Sequence, residues 1–160
     1  MQPSYQAVIP APFGFLGINT SADYLTGLSL IIDNNTTLKP PVDAFTSGIV
    51  AQINTYFVNP KHIFNIPIAL LGTPFQKRVW AAISQVSAGH VITYSELAIA
   101  AHSGPRAVAN ACGANSLLLV IPCHRIVAKN GLGGFGGHGE GSSEENLNVK
   151  RWLLLHEKAL

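Results

Sequence analysis

The amino-acid sequence predicts an α+β fold, with a small antiparallel sheet and one packed helix first and a mainly helical part after them. Apolar residues alternate at period two in the early segments, as in Leu25-Thr26-Gly27-Leu28-Ser29-Leu30. From residue 42 the apolar spacing becomes helical, and helix-start signals recur further along. These patterns predict two domains, an N-terminal α/β domain over residues 1–70 and a C-terminal domain over residues 72–160.

The N-terminal part is predicted to contain three strands and a helix. The strands are expected at residues 5–9, 15–19 and 25–32, with Pro12-Phe13-Gly14 as the first turn. Asp, Asn, Thr and Pro residues predict a loop at 33–41, and an amphipathic helix is expected at 42–58. Its aromatic residues are interpreted as core that packs on the sheet.

Two helix starts in the C-terminal part carry capping boxes. Thr73-Pro74-Phe75-Gln76 predicts a helix that runs to about Val86 and is ended by Gly89. Thr93-Tyr94-Ser95-Glu96 opens a second helix that should reach about Ala101.

A third helix is predicted to start at Pro105, after a turn that contains glycine. Two short helices joined in this way predict a helix-turn-helix. Val108, Ala111 and Cys112 share the predicted inward face, which makes Cys112 a packing residue. Ala107 and Ala109 face outward. Arg106 lies in the first turn of this helix, where the helix dipole disfavours a positive charge, so its position indicates an anionic partner. The ordinary alternative is a surface arginine that contacts only solvent.

The segment after residue 124 is predicted to form a hairpin, a loop and a last helix. Asn130-Gly131 is a strong hairpin signal between residues 125–129 and the chain from Leu132 onward, so a wing is expected. Glycines at 133–141 predict a loop, and 138–148 should be a flexible excursion. The last helix, at 146–158, is expected to bring Glu157 inward and to bury Val149, Trp152, Leu153 and Leu155.

The candidate nucleophile is Cys123, one of two cysteines, which lies between apolar runs and is followed by His124 and Arg125. A thiol reacts as its thiolate, and an adjacent imidazole or guanidinium can lower its pKa. A buried structural cysteine is the alternative, since free cysteine is among the most buried residue types.

The longer pattern decides between these alternatives. Pro122-Cys123-His124-Arg125-Ile126-Val127 resembles the active-site signature of the O6-alkylguanine-DNA alkyltransferases. The resemblance spans the C-terminal half, through Gly72-Thr73-Pro74-Phe75-Gln76, Trp80, Thr93-Tyr94-Ser95-Glu96-Leu97-Ala98, Pro105-Arg106-Ala107-Val108, Asn115, Lys150-Arg151-Trp152-Leu153-Leu154 and Glu157.

The resemblance implies a ribonuclease-H-like N-terminal domain, a winged helix-turn-helix domain and single-turnover DNA repair. An alkyl group on guanine O6 would pass to Cys123. His124 would take the thiol proton through a water, and Glu157 would orient the imidazole. Asn115 would fix the active-site turn, and Tyr94 would donate a proton to the leaving guanine, although a helix C-cap and a half-buried aromatic are the structural alternatives for these two.

The resemblance also implies the partner, which is double-stranded DNA that contains alkylated guanine, bound by a monomer without a cofactor. Some members of the family carry a zinc ion in the N-terminal half, but here that half has His62 as its only histidine and no cysteine, so no metal is expected. Arg106 would fill the gap left by the flipped nucleotide. Further DNA contacts are assigned to Thr93, Ser95, Ala107 and Ala109, and the substrate pocket to Val127 and Phe135. Phe135 stands near the position where the family usually has a pocket tyrosine, and Ser116 follows Asn115 where a proline is usual.

Composition narrows the classes of protein further. A net charge of +2 argues against a broad basic DNA-binding surface. Lys77, Arg78, Arg106, Arg125 and Lys129 nevertheless fall within residues 77–129, which is compatible with a local DNA-facing patch, although a solvated side chain is the ordinary alternative for each. Neither a membrane span nor a signal peptide is indicated, which predicts a cytoplasmic protein, or a nuclear one in a eukaryote. The alternatives are a lesion sensor that binds alkylguanine without accepting the group, and a thiol hydrolase or redox protein.

Overall fold

The computed structural model describes residues 4–135 and 143–160. Its first element is an antiparallel sheet of three strands in the order β1-β2-β3. Ile9 of β1 pairs with Leu16 of β2, and Ile18 of β2 pairs with Leu28 of β3, so apolar side chains meet on the core face. The predicted strands are confirmed, with observed bounds of Ala7–Ala11 (β1), Gly14–Ser21 (β2) and Tyr24–Ile31 (β3).

Helix α1, at Ala44–Val58, confirms the predicted amphipathic helix. The carboxylate of Asp43 accepts a hydrogen bond from the backbone N–H of Thr46 and caps the first turn. Ile49, Ile53 and Tyr56 recur at helical spacing and are buried. The helix therefore presents these residues to the core, as the sequence predicts.

Helix α2, at Pro74–Ile83, begins with the predicted capping box and ends earlier than predicted. Backbone N–H groups of Gln85 and Val86 bond to carbonyl groups three residues earlier, so the chain tightens into a final turn. The hydroxyl of Ser84 donates to the Trp80 carbonyl, which supports that turn. The prediction that the helix runs to about Val86 was therefore wrong, although Val86 is still buried.

Strand β4 (Ile92–Thr93) leads directly into helix α3 (Tyr94–Ala100), and α4 (Pro105–Gly113) follows after a short turn. The N–H of Ser103 bonds to the carbonyl of Ala98, which closes α3 in the manner of a Schellman motif. Helix α3 ends one residue before the predicted Ala101, and α4 starts at Pro105 as predicted.

The predicted hairpin around Asn130-Gly131 was wrong. Strand β5 (Ile126–Val127) pairs in parallel with β4, and the turn is closed by a single antiparallel bridge between Ala128 and Gly131. The residues from Leu132 onward are rich in glycine and supply few side chains that favour a strand. Among the described residues, antiparallel pairing therefore does not extend beyond the bridge between Ala128 and Gly131.

The last helix, α5, runs from Ser143 to His156. The predicted excursion at 138–148 was therefore wrong for residues 143–148, which are helical, while 138–142 lie outside the described residues, as does most of the predicted glycine loop. Leu155, predicted to be core, is 55% exposed, and Leu154 is fully buried instead. The 3.6-residue period places Leu154 beside Leu153 on the inward face.

A pair of backbone hydrogen bonds attaches the sheet to the segment that precedes Cys123. The N–H of Leu28 in β3 donates to the Ser116 carbonyl at 2.9 Å, and the N–H of Leu118 donates to the Leu28 carbonyl at 3.1 Å. The buried apolar core is continuous across this junction. Among the described residues, the helices are too short or too polar to cross a bilayer.

Candidate active site

Cys123 sits at the start of a 3₁₀ turn (Cys123–Arg125), after a chain segment with an unusual backbone. Leu119 is buried and has a φ of +69°, in the left-handed region that a leucine adopts at a cost of about 1–3 kcal/mol. The amide of Asn115 holds this segment, because its Nδ2 donates to the Ile121 carbonyl and its Oδ1 accepts from the Leu117 N–H, both at 2.9 Å. Asn115 therefore fixes the backbone that presents Cys123.

The thiol of Cys123 is enclosed, with 7% of the residue exposed. Its Sγ accepts a hydrogen bond from Asn115 Nδ2 at 3.1 Å and lies 3.7 Å from the Cys112 carbonyl oxygen. A hydrogen bond with the Cys112 side chain and burial raise the pKa of Cys123, and the Asn115 contact opposes them only in part. The expectation that the neighbours His124 and Arg125 lower this pKa was wrong for the resting protein, because both side chains turn to Glu157.

His124 and Glu157 form a buried pair, with Nε2 of the imidazole 2.8 Å from Oε2 of the carboxylate. Burial lowers the pKa of His124 and outweighs the opposing effect of Glu157, so the imidazole is neutral at neutral pH. An ionised carboxylate can only accept a hydrogen bond, so Nε2, which faces Glu157, carries the imidazole proton. Nδ1, which has no hydrogen-bond partner among the described residues, is then the basic nitrogen.

Glu157 is held by two further side chains that the sequence analysis did not assign to the site. Arg125 donates to both carboxylate oxygens, from Nε at 2.9 Å and Nη2 at 3.0 Å, and the hydroxyl of Tyr56 donates at 2.6 Å. Burial alone would raise the pKa of Glu157, but the hydrogen bonds from His124 and Arg125 outweigh it and hold this pKa well below its usual range. The carboxylate is therefore ionised, and Arg125 does not belong to an outward basic patch.

A cavity of about 250 Å³ opens beside the thiol. The fold brings five predicted site residues together in its lining: Cys123, Asn115, Tyr94, Phe135 and Ala109, the last of which was assigned to DNA contact. Val127 does not line it and pairs with Thr93 across β4 and β5. Cys112, predicted to be a packing residue, is half-buried and faces this cavity.

Tyr94 lies against Gly133, whose φ is +77°. A side chain at position 133 would place its Cβ 2.8 Å from the Tyr94 ring and 2.9 Å from its hydroxyl. Glycine is therefore required here both by the backbone conformation and by the close approach of the ring. Burial raises the pKa of Tyr94, so the phenol keeps its proton near neutral pH.

Lys150 was not assigned a role in the sequence analysis, yet it is fully buried beneath the site. Its Nζ donates to the carbonyl groups of Ile126 at 2.6 Å and Gly134 at 2.9 Å. Burial lowers its pKa to about 8 against the opposing influence of Cys112 and Cys123. A lysine at a helical position among apolar residues gives little sequence signal of such burial, because lysine is usually exposed.

The residues assigned to DNA contact lie at the start of α3 and α4. Arg106 and Ser95 are exposed, and Ala107 is partly exposed. The Thr93 hydroxyl accepts from the Glu96 N–H and so caps α3. Among the described residues, His, Cys, Asp and Glu side chains do not gather in a group of three or more that could hold a metal ion.

Comparison with known proteins places this geometry in a family. A profile described as the 6-O-methylguanine DNA methyltransferase, DNA binding domain, matches residues 74–159. A methylated-DNA–protein-cysteine methyltransferase of Mycobacterium tuberculosis (strain ATCC 25618 / H37Rv) is 35% identical over 94% of this chain and 90% of its own length. A probable methylated-DNA–protein-cysteine methyltransferase of Acanthamoeba polyphaga mimivirus is 37% identical over 82% of this chain and 81% of its own.

Solved structures agree with the sequence relatives. The crystal structure of Mycobacterium tuberculosis OGT in complex with DNA has a TM-score of 0.79 and 34% identity over 95% of this chain and 91% of that one. An O6-methylguanine DNA methyltransferase from Methanococcus jannaschii has a TM-score of 0.67 and 25% identity over 96% and 93%. With the Cys123 turn, the His124 and Glu157 pair and the adjoining cavity, these matches show that the chain belongs to the methylated-DNA–protein-cysteine methyltransferase family.

Proposed function

We propose that this protein repairs double-stranded DNA by moving an alkyl group from O6 of guanine to the sulfur of Cys123, once per molecule. The observation that carries the proposal is the placement of Cys123 at the wall of the cavity, with Asn115 donating to its sulfur. An alkylated base is large enough to need such a cavity and must leave the duplex to reach it. A thiol hydrolase would have no use for the exposed start of α4 beside it.

The thiol proton would leave through His124. Burial keeps the imidazole neutral, and its Nδ1 has a lone pair available to accept the proton through a water molecule. The ionised Glu157 would then stabilise the imidazolium that forms. Because the resting thiol is protonated, loss of its proton would be coupled to binding or attack and would not precede them.

In the transfer step the Cys123 sulfur would attack the alkyl carbon, a carbon–sulfur bond would form, and the carbon–oxygen bond to guanine would break. The electron pair would remain on guanine, which would take up the proton that the phenol of Tyr94 offers from the cavity wall. The product is a thioether. Among the described residues, the site offers no group able to cleave that bond, so the reaction would consume the protein.

DNA would be bound by α3 and α4 acting as a helix-turn-helix. Arg106 projects from the first turn of α4 and is exposed, so it can enter the duplex and occupy the place of the flipped nucleotide. The small side chains of Ala107 and Ala109 would allow α4 to approach the DNA closely. Thr93 and Ser95 would contact the DNA backbone. The modest net charge of +2 suits one molecule with few phosphate contacts, so we propose a monomer.

The same geometry supports different roles for the two parts of the chain. We propose that residues 72–160 form the DNA-binding and transfer domain, since Cys123, His124 and Glu157 all lie there. Residues 1–70 would form a supporting domain, which attaches to the active-site segment through Leu28 and to Glu157 through Tyr56.

Intact-protein and peptide mass spectrometry after incubation with a duplex that contains one O6-methylguanine tests the proposal. We expect one methyl group on Cys123, none on Cys123→Ala, and the adduct still on Cys123 in Cys112→Ala. Tight binding without an adduct would instead support the lesion-sensor alternative. Methylation of Cys123→Ala at the wild-type rate would contradict the assignment of the acceptor.

The role of Arg106 is tested by comparing two substrates. Arg106→Ala should slow transfer from the duplex strongly and transfer from free O6-benzylguanine little, because a free base needs no flipping. Lys61→Ala, at an exposed basic residue of the N-terminal part, is the control and should affect both rates similarly. Equal losses on the two substrates in Arg106→Ala would reject the proposed insertion.

A further inference from the structure

The two cysteines of the chain meet in the same cavity. Cys112 comes from α4 and Cys123 from the 3₁₀ turn, and both contribute to the cavity wall. The sulfur of Cys123 lies 3.7 Å from the carbonyl oxygen of Cys112, and both cysteines are free. A hydrogen bond links the Cys112 and Cys123 side chains, so the two thiol groups are neighbours.

The two thiols differ in exposure and in acidity. Cys112 is half-buried, whereas Cys123 is buried. A hydrogen bond from the Cys123 side chain lowers the pKa of Cys112 despite its partial burial, and the same contact raises the pKa of Cys123. Cys112 is thus the thiol that a peroxide entering the cavity reaches first.

We propose that Cys112 and Cys123 are a reversible oxidation site, at which hydrogen peroxide or an organic hydroperoxide converts the two thiols into an intramolecular disulfide. The disulfide would switch off alkyl acceptance and would be reversed by a dithiol or glutathione. The inference goes beyond alkyl transfer, and its first readout does not depend on that activity.

The chemistry balances without a metal or a cofactor. The Cys112 thiolate attacks one peroxide oxygen, the oxygen–oxygen bond breaks, and the leaving hydroxide (an alkoxide, from an organic hydroperoxide) takes up a proton. The sulfur becomes a sulfenic acid. The Cys123 sulfur then attacks that sulfur, a sulfur–sulfur bond forms, and the hydroxyl group leaves as a second water. Two thiols are oxidised and one peroxide is reduced.

The proposed disulfide would protect Cys123 from irreversible oxidation. A nucleophilic cysteine that is oxidised beyond the sulfenic acid is lost irreversibly. In a protein that can use Cys123 only once, such a loss removes one repair event. A disulfide with Cys112 would instead hold Cys123 at an oxidation level that cellular thiols can reverse, in keeping with the transient disulfides that act as redox sensors in reducing compartments.

The test treats the reduced full-length protein with a small excess of hydrogen peroxide, removes the peroxide with catalase and blocks the remaining thiols with an alkylating reagent after denaturation. We expect monomeric protein that has lost two hydrogen atoms and carries no blocking group, and a peptide in which Cys112 is joined to Cys123. Methyl transfer from O6-methylguanine DNA should be lost in proportion to the disulfide and should return after dithiothreitol.

Cys112→Ala and Cys112→Ser are the comparison variants, each measured relative to its own untreated activity. In both, peroxide should add oxygen to Cys123, and the part of the loss due to sulfinic acid should not return with dithiothreitol. The proposal is overturned if the wild-type protein keeps both thiols free, if Cys123 gains oxygen at the same rate with and without Cys112, or if the disulfide joins two molecules. If the disulfide forms but the reduced protein transfers no methyl group, the oxidation site stands and the proposed function fails.

Discussion

The hydroxyl of Tyr56 in α1 donates a 2.6 Å hydrogen bond to Oε2 of Glu157, a residue 101 positions later in the chain. The same oxygen lies 2.8 Å from Nε2 of His124. Both Tyr56 and Glu157 are buried, so their hydrogen bond is formed away from water. The first helix of the N-terminal part therefore helps to orient the carboxylate that positions the proposed base.

Tyr56→Phe tests this link. Removing the hydroxyl deletes one hydrogen bond to a charged group and should lower the free energy of unfolding by about 1.5–3 kcal/mol. Methyl transfer should slow because Glu157 and His124 are held less firmly. Urea unfolding and single-turnover kinetics measure the two effects. Tyr24→Phe, at a half-exposed tyrosine of β3, is the control and should change stability by less than about 0.5 kcal/mol.

Glu157→Gln should change how stability depends on acid. The hydrogen bonds of His124 and Arg125 keep the pKa of this carboxyl below its unfolded value of about 4.3. Ionised Glu157 therefore stabilises the fold above that pH, and the contribution is lost as pH falls below it. At neutral pH the variant should be less stable by about 3–5 kcal/mol, since a buried ion pair loses one partner.

The measurement is the free energy of unfolding of both proteins between about pH 6 and pH 3. The difference between wild type and Glu157→Gln should shrink as the solution becomes more acidic. A difference that stays constant over this range would show that the carboxylate charge is not what stabilises the folded state.

Gly133→Ala should displace Tyr94. The added Cβ would meet the tyrosine ring at 2.8 Å, and alanine at a φ of +77° costs about 1–2 kcal/mol. We expect lower stability and slower transfer, measured by thermal unfolding and by single-turnover kinetics. Gly131→Ala is the matched control, because an added Cβ there meets no atom of the described residues within 4 Å. Equal effects of the two substitutions would contradict the close packing of Tyr94 on Gly133.

Local signals explain why much of the fold was predictable. The capping boxes at Thr73 and Thr93 specify helix starts within a few residues, and the structure contains both. Period-two alternation identified the three strands, because one face of the sheet is buried. In the described part of the chain, the Asn130-Gly131 signal led only to a turn with a bridge between Ala128 and Gly131, because the glycine-rich residues that follow do not favour a strand.

The site residues that were missed depend on contacts between distant parts of the chain. Tyr56 had the helical spacing of a core residue, and nothing near it in the sequence indicates Glu157. Arg125 was interpreted by its charge as part of an outward patch, although the fold turns it to a buried carboxylate. Cys112 has the spacing of an inward residue, but the end of α4 approaches the Cys123 turn and opens a cavity there. Such approaches are set by helix packing and leave no local pattern.

Lys150→Met should alter stability in alkaline solution. Burial lowers the pKa of Lys150 to about 8, whereas an unfolded lysine titrates near about 10.4. Between these values the unfolded chain binds more protons than the folded one, so wild-type stability gains from this group as pH rises. Relative to the methionine variant, wild type should gain about 3 kcal/mol across that range.

Urea unfolding of wild type and Lys150→Met at several pH values between about 7 and 10.5 measures this gain. Tyrosines and cysteines also titrate in this pH range. Their contribution cancels in the difference between the free energies of unfolding of the two proteins wherever the substitution leaves them unaffected. Lys129→Met, at an exposed lysine, is the control and should run parallel to wild type. A wild-type advantage over Lys150→Met that falls with rising pH would mean that the buried amine is favoured in its charged form, which would contradict desolvation as the dominant influence on Lys150.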